Sequence, residues 1–159
     1  MVMYETFELG PILGNRAADF SLPDHTQAPH NMGDLMGPNG LMLGFIGDIW
    51  QAASVRRILW LQRHVGKFAQ LGTPIALLVR DHAHTLYGFR MSSPLPVPFP
   101  LLADVDGKVH RLYSMDRYPG LVLIDHNRTL RHKWLMPEDN VWPKMPELVE
   151  AAQTLQTAV

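Results

Sequence analysis

Apolar residues recur along this chain in two rhythms, and the switch between them marks its elements. Leu41-Met42-Leu43-Gly44-Phe45-Ile46-Gly47 is a nearly unbroken apolar run between turn signals, the pattern of a strand buried on both faces in a parallel sheet. From about Ala52 to Leu71 the spacing changes to threes and fours, through Val55, Ile58, Leu59, Gln62, Val65 and Phe68 or Ala69. That predicts an amphipathic helix, stopped by Gly72-Thr73-Pro74. Pro74 to Arg80, centred on Ile75-Ala76-Leu77-Leu78-Val79, reads as a second buried strand. A shorter helix follows from about His82 to Arg90, with Asp81 as its expected N-cap.

The second half is more broken. Ser92 to Pro100 holds four prolines and is an extended loop. Leu101-Leu102 is a short strand, Asp104-Val105-Asp106-Gly107 a turn, and Lys108 to Ser114 a short helix. Leu121-Val122-Leu123-Ile124 is a third central strand, which Asp125-His126-Asn127-Arg128 turns into a fourth from Leu130 to Leu135, giving a hairpin. Pro137 to Pro146 is loop, and Glu147 to Thr157 a closing helix. Ahead of all this, residues 1–30 form an extended arm with a small hairpin around Phe20-Ser21-Leu22. Asp34-Leu35-Met36-Gly37 is a single helical turn closed by Gly37 and Pro38. The order is β-α-β-α, a crossover, then β-β-α, which implies an α/β fold with a mixed central sheet flanked by helices.

Composition narrows the function more than the fold. The 159 residues suit one domain, spanning 1–159. With 47% hydrophobic and 18% charged residues and a net charge of −1, nothing draws the whole chain to nucleic acid or an anionic membrane. No apolar run approaches the roughly 18 residues that read as a membrane span. Met1 to Gly10 carries Glu5 and Glu8 and lacks the basic start and apolar stretch of a signal peptide, so a cytoplasmic protein is expected. There is no cysteine, which excludes disulfides, thiolate metal sites and any cysteine nucleophile. No cofactor is expected either.

Three segments carry a family likeness. Gly14-Asn15-Arg16-Ala17-Ala18-Asp19-Phe20-Ser21-Leu22-Pro23-Asp24 resembles the opening G-x-x-A-P-D-F-x-L-x-D of the alkyl hydroperoxide reductase and thiol-specific antioxidant family, the peroxiredoxins in the broad sense. Pro98 to Val109 resembles its F-P-L-L-S-D-x-D-G-x-V, and Leu121 to Asp125 its F-I-I-D strand. The resemblance implies a thioredoxin fold with a peroxiredoxin-like N-terminal extension, and thiol peroxidase or disulfide oxidoreductase chemistry in the relatives. It places the active-site stretch on Gly47 to Ser54. Against the thioredoxin pattern W-C-x-x-C, Trp50 matches, while Gln51 and Ser54 stand at the two cysteines. Against the peroxiredoxin pattern P-x-x-x-T-x-x-C, Gly47, Gln51 and Ser54 replace proline, threonine and the peroxidatic cysteine. Pro119 falls where thioredoxins hold a cis-proline and peroxiredoxins an arginine, so a cis bond between Tyr118 and Pro119 is expected. Relatives often pair, so a homodimer is also in prospect.

What remains at such a site is binding. Trp50, Gln51, Ser54, Tyr118 and Pro119 are the candidate residues for a protein partner or small ligand. Gln51 and Ser54 at a helix start suit an anion or a peptide backbone, or serve only as first-turn residues. Trp50 is either an exposed contact or inherited packing. Elsewhere, His82 and His84 with Asp81 would need a strand to share a face for zinc; at a helix start they diverge by about 200°. His126 and His132 flank the terminal hairpin. No G-x-S-x-G elbow, P-loop or dinucleotide fingerprint occurs, and the nine methionines are dispersed.

Overall fold

The computed structural model describes residues 9–94, 96–136 and 143–156. A short antiparallel hairpin, β1 (Ser21–Pro23) and β2 (Pro29–Asn31), leads into the one-turn helix α1 (Met32–Leu35). That turn begins at Met32 and not Asp34, because Asn31 caps it: its side chain accepts from the Asp34 N–H while the Asp34 side chain accepts from the Asn31 N–H. The long apolar run becomes β3 (Gly40–Gly47), and the three-and-four pattern becomes α2 (Ala52–Gln70). β4 (Ile75–Val79), α3 (Ala83–Ser92), β5 (Leu101–Ala103) and α4 (Lys108–Leu112) follow. The hairpin β6 (Gly120–Asp125) and β7 (Leu130–Leu135) comes next, and α5 (Met145–Gln156) closes the chain.

The five-stranded sheet runs β5-β4-β3-β6-β7. β3 pairs in parallel with β4 and β4 with β5, whereas β6 lies antiparallel to both β3 and β7. Strand alternation in β3 divides the core in two. Met42 and Ile46 face a cluster with Ile58, Leu61 and Phe68 of α2 and Leu148, Ala151 and Leu155 of α5. Leu41, Leu43 and Phe45 face a second cluster with Met32, Leu35, Val109 and Tyr113. Helices thus cover both faces, and all of β3 through Ile46 is buried, which is why the sequence reads as a continuous apolar run.

The N-terminal arm is stitched to the hairpin by the Gly14 N–H on the Leu130 carbonyl (2.8 Å) and the Ala17 N–H on the Arg128 carbonyl (2.7 Å). The Tyr113 hydroxyl donates to the Ala18 carbonyl, fastening the arm to the end of α4 as well.

Several boundaries differ from the sequence reading. α4 stops at Leu112, short of Ser114, because Ser114 takes a left-handed conformation with φ 55°. α5 begins at Met145, within the expected loop, since a proline such as Pro146 is tolerated in a helix's first turn. Residues 137–142 of that loop and Thr157 lie outside the described residues. Among the described residues no helix is long and apolar enough to cross a membrane.

Candidate functional site

At the carboxyl end of β3 the chain reverses through Gly47, whose φ of +77° suits only glycine comfortably. Its carbonyl accepts the Arg80 N–H at 2.8 Å, clamping the end of β3 to the end of β4. Two carboxylates then shape the turn into α2. Asp48 accepts from the Trp50 N–H at 2.9 Å, and Asp81 from the Ile49 N–H at 3.1 Å. Asp81 is therefore occupied and is not the N-cap of α3. His82 holds that position, without a side-chain capping bond. Gln51 is the N-cap of α2 and likewise makes no side-chain cap.

This turn forms one wall of an open cleft of about 580 Å³. Met115, Asp116, Arg117, Tyr118 and Pro119, ahead of β6, form the facing wall, with Arg80, Val105 and His110 between. Trp50, Gln51, Tyr118 and Pro119 all line it. Trp50 is 58% exposed and rests edge-on against Phe89 at 6.2 Å. Ser54 is not brought there. It is fully buried in the first turn of α2, and its Oγ has no hydrogen-bond partner among the described residues.

The expected cis bond is absent: no described peptide bond is cis, so Tyr118–Pro119 is trans. The trans form is favoured by about 0.5–1 kcal/mol before proline. In it, the Pro119 carbonyl accepts the Met136 N–H at 2.7 Å and extends the β6–β7 ladder by one step.

A histidine that sequence reasoning passed over sits between the walls. Asp104, at the end of β5, accepts three N–H groups: Val109 N at 3.1 Å, His110 N at 2.8 Å and His110 Nδ1 at 2.6 Å. Burial pushes the Asp104 carboxyl up, but the bonds from the His110 ring and from the His110 and Val109 amides outweigh it and hold the pKa below the usual carboxylate value. The His110 ring meets the Phe45 ring edge-on at 5.2 Å and is 1% exposed. Its position three residues after Gly107 in the D-x-D-G turn was the available signal.

The expected divergence of His82 and His84 is not what forms: His82 is the N-cap, with extended backbone ahead of the helical repeat, and its ring stacks on that of His84 at 5.2 Å at the start of α3. No group of three possible metal ligands occurs among the described residues. His132 pairs with Leu123 across the hairpin and stacks on Trp134, while His126 lies exposed in the turn, so the two do not face each other.

The parallel-then-antiparallel sheet, with the cleft at the β3–α2 turn facing the loop before β6, defines a thioredoxin-fold protein of the peroxiredoxin type. The chain belongs to the AhpC/TSA family, whose model matches residues 13–133. It is 23% identical over 155 residues to a peroxiredoxin of Thermoplasma volcanium, covering 91% of this chain and 75% of that protein. Peroxidoxin BcpB from Mycobacterium tuberculosis superposes with a TM-score of 0.78 at 18% identity, over 96% of this chain and 99% of that one. A putative thiol:disulfide interchange protein DsbE from Chlorobium tepidum gives 0.69 at 23%, over 93% and 97%. At these identities the structural likeness speaks for the fold. Family membership here coexists with a chain that holds no cysteine.

Proposed function

We propose that this AhpC/TSA member is a non-catalytic binding protein that holds a small ligand or a partner segment in the cleft walled by Trp50, Gln51, Tyr118 and Pro119. The observation carrying this reading is an open cleft at the family's active-site turn in a chain without sulfur nucleophiles. A thiol peroxidase works through a thiolate that a helix N-terminus and nearby cations stabilise. A serine hydroxyl stays protonated without an activating base and has no comparable redox cycle. Ser54 is moreover buried away from the cleft. Methionine oxidation is stoichiometric without a reductase.

The test is hydrogen peroxide consumption with dithiothreitol as reductant, run on the native chain beside Ser54→Cys and Gln51→Cys. The native chain is expected to be inert. Gln51→Cys, which puts a thiol in the cleft at the start of α2, is expected to gain turnover before the buried Ser54→Cys does. Catalytic consumption by the native chain would refute the reading. For binding, a panel of small acids, alcohols and peptides should shift amide resonances of 47–51 and 115–118, with the shifts lost in Trp50→Ala. A panel that moves none of them leaves the cleft without a role.

A further inference from the structure

The outward face of α2 carries a row of charge that the rest of the fold does not answer. Arg56, Trp60, Arg63 and Lys67 follow one another at steps of four, three and four residues, so on a helix they stand in one line about 16 Å long. Ile58, Leu61 and Phe68, on the other side of the helix, pack in the core, which turns the line to solvent. Arg56, Arg63 and Lys67 are exposed, and Trp60 between them is half-buried, with the His64 ring tilted against it at 4.8 Å. None of the three cations makes a side-chain hydrogen bond or ion pair among the described residues.

Neither flank of the helix neutralises the row. On one side Gln62 donates to the Pro96 carbonyl at 2.8 Å, and the loop it reaches, 93–97, holds no carboxylate. On the other, α5 meets α2 through Gln156, which donates to the Leu71 carbonyl at 3.0 Å. The two glutamates of α5, Glu147 and Glu150, line a groove against His132 and Trp134 of β7 instead. Within its own 19 residues α2 has four cationic side chains and no acidic one. Arg63 and Lys67, one turn apart, repel each other. A helix that keeps like charges in line with nothing in its own fold to offset them breaks a local rule, and such breaks are expected where a function holds them in place.

From this we infer that the outward face of α2 docks an acidic helix of a partner protein, whose carboxylates recur along one face at the same steps of four, three and four residues. Such steps form the seam along which two helices pack at about 20°. A second helix has the same rise per residue, so its charges keep pace with the row. Charge complementarity sets the sign of the partner, and the same observations disfavour other polyanions. Outside α2, a chain of net charge −1 is acidic overall, which repels a nucleic acid beyond the row. His64 lies against the indole that would stack on a base. Among the described residues no exposed large hydrophobic side chain lies on α2 to enter a bilayer.

The probe is an alanine-based helical peptide with glutamates at i, i+4, i+7 and i+11, beside an isomer with the same glutamates spread around the helix. Circular dichroism checks that the two are equally helical. Titrated into the ¹⁵N-labelled full chain, the striped peptide is expected to bind about fivefold more tightly than the isomer, as a few exposed ion pairs allow. Amide shifts should centre on 56–67, and binding should weaken as salt is added. Arg63→Gln and Lys67→Gln should each weaken the striped peptide while leaving the urea midpoint unchanged or higher, since both side chains are exposed and repel each other. Equal affinities of the two peptides would overturn the helix as occupant. Tighter binding of an oligothymidylate of matched charge would overturn it in favour of a polyphosphate. Row shifts that grow with protein concentration, together with a dimer mass by light scattering, would overturn it in favour of a second copy. No shift at 56–67 from the striped peptide would overturn the inference outright, and none of these results bears on the cleft.

Discussion

Gln51 and Ser54 stand three residues apart on one helix and meet opposite surroundings. Gln51 is exposed at the N-cap of α2, while Ser54 is buried within the first turn. An N-cap side chain is useful when its oxygen is short enough to reach the N2 or N3 amide, and glutamine is too long. Gln51→Asp is therefore expected to raise stability by about 1 kcal/mol, with a further contribution from a negative charge at the helix N-terminus, read as an increased urea midpoint at unchanged m-value. A drop in midpoint would mean that the Gln51 side chain holds the turn in some other way. The spacing of Gln51 and Ser54 was plain in the sequence. Which of the two opens to the cleft was not, because that depends on how α2 is rotated against the sheet.

At the scale of elements, the β-α-β-α-β-β-α order was legible because each strand and helix has its own period. The 3.6-residue repeat of α2 and the solid apolar runs of β3 and β4 reflect burial of one face in the helix and of both faces in the strands. Boundaries went astray where a single local group decided them, as with Asn31 capping α1 and Asp81 drawn to the Ile49 amide instead of capping α3. The arm is likewise fastened by few groups. Tyr113→Phe removes the hydroxyl that donates to the Ala18 carbonyl and is expected to cost about 0.5–1.5 kcal/mol. Hydrogen exchange should speed most at residues 14–20, where the arm meets the hairpin and α4. Uniform acceleration across the sheet would show instead that Tyr113 acts through the core beside Phe20 and Phe45.

Across the whole molecule, stability is expected to fall on acidification in two stages. Burial holds His25 below its ordinary value of 6.5, aided by the Arg90 charge against the opposing pull of Asp24; burial and Arg131 do the same for His132. The unfolded chain takes up protons near pH 6.5 that the native state refuses until lower pH, so stability declines below about that pH. Asp104 and Asp24 lie below their ordinary 3.8, since hydrogen bonds outweigh the burial that raises them. Their contribution is complete above that pH and is lost as pH falls below it. Urea midpoints measured from pH 8 to pH 3 should thus be flat above about 7 and fall in both windows. A midpoint constant between pH 7 and 5 would contradict the first stage.

The sequence by itself determined the period of each element, the family likeness from residue 14 onward and the absence of any thiol, because these depend on residue identity and local spacing alone. The tertiary structure decided which side chains share a cleft. It brought Arg80, His110 and Tyr118 to the turn at Gly47–Gln51 from segments far apart in the chain, and withdrew Ser54 from it. It also set the Tyr118–Pro119 bond trans. Sheet order and helix rotation fix such meetings, and neither is written in any single stretch of residues: the order β5-β4-β3-β6-β7 puts the ends of β3 and β4 beside the start of β6, and the cleft exists only where those ends converge.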